Sequence, residues 1–122
     1  MVATLKMNTL KEIIKDHAPM APDILKMGIA GSFARGEDYS ENSDIDIIIY
    51  TNNRNFDKET LWVMKRISKI LMDQFRKEVD FIGYHTIVER KDTPNKMYNQ
   101  QGYEQMFMDM VWLWEKKNEL YQ

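Results

Sequence analysis

Ile24-Leu25-Lys26-Met27-Gly28-Ile29-Ala30-Gly31-Ser32-Phe33-Ala34-Arg35-Gly36 and, a short loop later, Asp44-Ile45-Asp46-Ile47-Ile48-Ile49-Tyr50 are the two most informative runs of this chain. The first is apolar up to Ala30 and then meets Gly31, the pattern of a strand that stops at a tight turn. In the second, Ile45, Ile47 and Ile49 alternate with Asp44, Asp46 and Ile48. Alternate side chains of a strand leave opposite faces, so one face is greasy throughout and the other begins with two carboxylates.

Elements on either side complete the pattern. Thr9, with Glu12 three residues on, has the form of a capping box. Leu10, Ile13 and Ile14 then predict an amphipathic helix to His17, stopped by Pro19 and Pro22. Asp57 is placed to cap a helix from Lys58 to about Lys77 whose apolar stripe reads Leu61, Met64, Ile67 or Ser68, Leu71 and Phe75. A third strand is expected from Val79 to about Ile87, then a charged surface loop over Glu89 to Asn99. The end of the chain predicts a helix from about Gln101 to Leu120, with Tyr103, Met106, Phe107, Met110, Leu113 and Trp114 inward. On such a helix Trp112 points away from Trp114, leaving a second apolar face that serves either a partner or a second core stripe.

The chain has 122 residues, 43% of them apolar, and 17 basic against 19 acidic side chains for a net charge of −2. This is the size of a single domain, 1–122, with its motif core at about 24–87. The charge balance argues against strong nucleic-acid binding through many neutralised phosphates. No apolar run is long enough for a membrane span or secretory signal, so the expected location is cytoplasmic. Without cysteine there is no disulfide, thiolate ligand or thiol nucleophile. Any metal must sit on oxygen or imidazole.

Asp44 and Asp46 leave one strand face with Cα atoms roughly 6 to 7 Å apart. Their repulsion is of order 2 to 3 kcal/mol at an effective dielectric near 20, and a divalent cation turns it into attraction. Oxygen ligands suit Mg²⁺ or Mn²⁺. Taken alone, an Asp-x-Asp also fits a loop cap followed by a solvated carboxylate. Gly31-Ser32, at the end of the preceding strand, offers a close backbone approach and a hydroxyl donor to a phosphate, though a simple turn would look the same. The chain lacks the Lys-Ser/Thr of a P-loop after Gly36 and the three glycines of a dinucleotide fingerprint. Asp80, within Val79-Asp80-Phe81-Ile82, is expected in apolar surroundings with a cation facing it. Three strand-borne aspartates beside a phosphate cradle suit two-metal phosphoryl transfer.

Gly31-Ser32-Phe33-Ala34-Arg35-Gly36, Ser43-Asp44-Ile45-Asp46-Ile47 and Asp80 together resemble the minimal nucleotidyltransferases of the DNA polymerase β superfamily. They are most similar to the small stand-alone members that act as antitoxins to HEPN-domain toxins. The resemblance covers about half the chain, and the loop between Ser32 and Asp44 is one residue longer than the family pattern. It implies an α+β fold with a nucleotidyltransferase-like mixed β-sheet of three or more strands flanked by helices. It further implies two Mg²⁺ ions on Asp44, Asp46 and Asp80, which also carry the catalysis, and ATP as the nucleoside triphosphate, bound at Gly31, Ser32, Arg35 and Ser43. The implied reaction moves AMP to a hydroxyl, a tyrosine of the HEPN toxin in the antitoxin branch. A small-molecule acceptor of the aminoglycoside type and a non-enzymatic antitoxin that occludes its toxin through Met106 to Trp114 are the other readings. The terminal helix would serve a protein partner or a second copy.

Overall fold

The computed structural model describes residues 3–36 and 44–117. Its frame is a four-stranded sheet in the order β3-β2-β1-β4, with β1 Ile24–Ala30, β2 Ile45–Thr51, β3 Val79–Gly83 and β4 Val111–Glu115. β1 runs antiparallel to both β2 and β4, and β2 runs parallel to β3, so the sheet is mixed. Helices α1 (Met7–His17) and α3 (Lys58–Phe75) pack on one face. Helices α4 (Tyr84–Arg90) and α5 (Gln100–Asp109) pack on the other. The four-residue helix α2 (Gly31–Ala34) grows directly out of β1.

The alternation in β2 sorts its residues as expected. Ile45, Ile47 and Ile49 join Ile24, Met27, Ile29, Ile14, Ile67 and Leu71 in the larger apolar cluster, all almost fully buried. Ile48 turns the other way, onto Ala30, Ile87 and Trp112. Within α3, the Asp57 side chain accepts the Thr60 N–H at 2.8 Å, as the capping expectation requires, and Arg76 closes the helix in the left-handed conformation. The buried stripe of α3, however, is Thr60, Val63, Ile67, Leu71 and Phe75. Leu61 is 52% exposed, so the first turn is rotated by one residue from the expected stripe.

Two other boundaries differ. α1 starts at Met7 with Lys6 as its N-cap, which puts Thr9 inside the first turn and rules out the capping box. β3 ends at Gly83 because that residue makes the last pair with β2, and Tyr84 to Arg90 then coil into α4 to bury Ile87. Much of the expected loop after Glu89 is indeed without regular structure, up to Asn99.

The largest correction is at the end of the chain. The helix stops at Asp109, Met110 turns extended, and Val111-Trp112-Leu113-Trp114-Glu115 form β4 on the free edge of β1. Aromatic and β-branched side chains favour a strand wherever an open ladder can receive them. The expected α5 stripe survives as far as Tyr103, Met106 and Met110. A register shift places Trp114 opposite Met27 but Trp112 opposite Gly28. The bulge sends the two tryptophans to different sides of the sheet, Trp114 into the larger cluster and Trp112 into the smaller. Both are therefore core residues, and the two-faced terminal helix does not exist. Gly28 makes the close crossing feasible: a Cβ there would lie 2.3 Å from the Val111 carbonyl oxygen.

Candidate active site

The N-terminal ends of β2 and β3 and the C-terminal end of β1 meet at one edge of the sheet. Ala30 pairs with Asp46, and Asp46 pairs with Asp80, giving a row across three strands. Neighbouring strands are about 4.8 Å apart, so the Asp46 and Asp80 side chains emerge side by side on one face. It is the face of Ile48 and Ile82, covered further along by α4 and α5. Asp44 precedes β2 by one residue and is exposed. Burial raises the Asp46 pKa first, and the charges of Asp80 and Asp44 raise it further. Each of these effects disfavours the ionised form, and a neighbouring cation would oppose them by favouring it.

Asp80 is exposed, not enclosed in apolar side chains as the sequence suggested, because the start of β3 lies at the open end of the sheet. Four ion pairs of the described residues join other side chains, Lys26 with Glu115, Arg54 with Glu89, Lys69 with Asp73 and Lys91 with Asp92. The described residues contain no group of three acidic or imidazole side chains already drawn around a common point. Asp44, Asp46 and Asp80 are thus electrostatic neighbours rather than a finished cage. That suits Mg²⁺, which combines one or two carboxylates with substrate phosphates.

Gly31 is fixed by this row. Its φ is +75°, and a Cβ would stand 2.7 Å from Asp46 Oδ2. The turn therefore passes against the carboxylate at a separation only glycine allows. Ser32 follows, half-buried, at the start of α2. Phe33, 2% exposed, anchors α2 in the larger cluster. Arg35 leaves α2 towards α5, where its Nη1 lies 2.5 Å from Asp109 Oδ2. Ser43 lies outside the described residues. Asp109 is a partner that the sequence did not single out, since nothing in the spacing from Arg35 signals a contact so far along the chain. The histidines are satisfied: His17 Nδ1 is 2.7 Å from the Ile13 carbonyl oxygen and His85 Nε2 is 3.0 Å from that of Thr51.

A nucleotidyltransferase domain model matches residues 7–112. The chain belongs to the nucleotidyltransferase domain family. Solved structures share the fold of this nucleotidyltransferase at low identity. A toxin–antitoxin complex with AMP-PNP aligns with TM-score 0.55 and 18% identity over 93% of this chain and 76% of that one. A mutant of the toxin–antitoxin MntA–HpeT, carrying two aspartate-to-glutamate changes two residues apart, gives 0.53 and 16% over 93% and 75%. A protein from Shewanella oneidensis gives 0.52 and 12% over 91% and 74%. No curated protein matches the chain. Among the described residues no helix is long and apolar enough to cross a membrane.

Proposed function

We propose that this nucleotidyltransferase transfers AMP from ATP to a hydroxyl group, with a tyrosine of a HEPN-type toxin partner as the acceptor. The observation that carries the reading is the in-register pair Asp46 and Asp80 beside a glycine turn that only glycine can make. An oxygen-only donor set with mutual repulsion and a raised Asp46 pKa calls for a hard divalent cation. Asp44, Asp46 and Asp80 would hold Mg²⁺, which supplies charge neutralisation at the triphosphate and a more acidic acceptor hydroxyl. Gly31 and Ser32 would receive the phosphates, with Ser43 close to the nucleotide.

In the transfer the acceptor oxygen bonds to the α-phosphorus, and the bond from that phosphorus to the α,β-bridging oxygen breaks. Pyrophosphate leaves with the electron pair. The hydroxyl proton passes to a carboxylate, for which exposed Asp80 is the candidate. The toxin–antitoxin complexes that share the fold, one with AMP-PNP and one altered at two aspartates spaced like Asp44 and Asp46, support a nucleotide and a protein partner.

Incubation with α-labelled ATP, Mg²⁺ and the product of the neighbouring gene should label that product. Equal labelling by an Asp44→Asn, Asp46→Asn chain would overturn the reading. Pyrophosphate release with an aminoglycoside-like polyol and no protein would instead assign a small-molecule acceptor. Protection of cells by the double variant would assign inhibition by occlusion.

A further inference from the structure

A four-residue helix cannot hold its own orientation, because helix formation gains stability only over several turns. The direction of α2, and with it the position of the Gly31-Ser32 turn, must come from tertiary contacts. Phe33 supplies one at the core end. At the other end Arg35 Nη1 meets Asp109 Oδ2 at 2.5 Å, and the Asp109 side chain is only 11% exposed. Its second oxygen, Oδ1, accepts a hydrogen bond of 3.0 Å from Gln105 Nε2. Both Asp109 oxygens are therefore engaged, and the carboxylate is held against the last turn of α5.

Two further facts bear on why an acid stands there. Asp109 is the last residue of α5, where the helix dipole presents its negative end and disfavours an acidic side chain. A carboxylate kept at that point answers to Arg35 rather than to its own helix. Two residues on, Val111 pairs with Ile29, one residue before Ala30 and the turn. The chain thus closes a circuit from β1 through Gly31, α2, Arg35 and Asp109 into β4 and back onto β1.

We infer that Asp109 is a positioning residue for the nucleotide: by clamping Arg35 it fixes the Gly31-Ser32 turn over Asp46, so that the triphosphate meets a preset turn. This rests on the nucleotide reading above. The ion pair also neutralises Arg35, which makes that arginine a strut of the turn before it is a phosphate ligand.

The test is calorimetry on the full chain with AMP-PNP plus Mg²⁺ and, separately, with adenosine, which has no phosphates to place. Asp109→Asn keeps the shape and the Gln105 contact but removes the charge. It should weaken AMP-PNP binding about tenfold while leaving adenosine binding unchanged, and the charge-exchanged chain Arg35→Asp, Asp109→Arg should recover most of the loss. Circular dichroism on each variant confirms the fold. Unchanged AMP-PNP affinity in Asp109→Asn, parallel loss of both ligands, or no recovery on charge exchange would each overturn the assignment. A wild-type chain that takes up no AMP-PNP would instead sink the nucleotide reading, and this assignment with it.

Discussion

Replacing Gly31 by alanine tests the central geometry with one methyl group. At φ +75° an alanine costs about 1 to 2 kcal/mol in the backbone alone. The new Cβ would also begin 2.7 Å from Asp46 Oδ2, whereas carbon and neighbouring heavy atoms settle nearer 3.5 Å. The carboxylate must therefore retreat by about half an ångström or more, in a row where Ala30 and Asp80 occupy the adjoining positions. A reacting group misplaced by about 1 Å can cost a hundredfold, so a loss of roughly ten- to a hundredfold in kcat/KM for AMP transfer is expected. The unfolding midpoint should fall by several degrees, the usual response of a domain this size to about 1 to 2 kcal/mol. The two contributions separate in a thermodynamic cycle. In an Asp46→Ala background the methyl meets no carboxylate, and the stability cost of Gly31→Ala should shrink to its backbone part. Denaturant titrations of the four chains, with radiolabel transfer for the Asp46-containing pair, give both numbers. Equal costs of Gly31→Ala in the two backgrounds, together with unimpaired transfer, would show that the turn does not touch the carboxylate.

Without divalent cations, Asp46→Asn should stabilise the protein at pH 7. Like charges about 5 Å apart repel by about 3 kcal/mol at a dielectric of 20 and under 1 kcal/mol in water, and the exposure of Asp80 puts the gain near 1 kcal/mol. A destabilised variant would mean that the carboxylate is already satisfied by a partner. Because the folded state raises the Asp46 pKa, it holds more protons than the unfolded chain between the ordinary carboxylate pKa, about 4, and the raised value. Stability contributed by this group should fall as pH rises through that window and level off above it, and excess Mg²⁺ should restore it. A cation-free stability profile that climbs across the window would contradict this sign, provided that subtracting the Asp46→Asn profile leaves the climb in place. Gly28→Ala should cost about 1 to 3 kcal/mol by driving a methyl into the Val111 carbonyl, with a shift in tryptophan fluorescence as β4 lifts; an unmoved urea midpoint would refute the tight crossing. On α3, Ile67→Ala should cost about 2 to 5 kcal/mol and Leu61→Ala under 0.5, and similar losses at both would restore the stripe expected from sequence.

Strand boundaries were legible wherever one residue type carried a single message. Ile24 to Ala30 emerges as β1 at both ends, because apolar residues stop at a glycine that must turn. The alternation of β2 gave both the buried face and the carboxylate face, since a two-residue period leaves no third arrangement. The pairing of Asp46 with Asp80 was reachable only through the motif resemblance, because register between distant strands is set by the turns and helices between them. The end of the chain was misread for a physical reason. Tyr103, Met106 and Met110 do follow a helical period, and the apolar residues after them extend it on paper. What ends the helix is the vacant edge of β1, a long-range opportunity that local periodicity does not encode. Asp109 became invisible for the same reason: inside a helix to Leu120 it would be one more solvated acid.

That misreading bears directly on the chemistry. A terminal helix would have left the Gly31-Ser32 turn supported by β1 alone, with a spare apolar surface for a partner. A terminal strand does the opposite, spending Trp112 and Trp114 on the two cores and bringing the α5–β4 junction beside α2. The same face of the sheet then serves two purposes along its length. Ile48 and Ile82 lie under α4 and α5, while Asp46 and Asp80, one period earlier on the same strands, stand beyond that cover. The proposed chemistry needs this division, since carboxylates must be dry enough to attract a cation strongly and open enough to admit a triphosphate. The helices set where the dry part ends, the ion pair from Arg35 to Asp109 ties the turn to that boundary, and the carboxylates sit just past it.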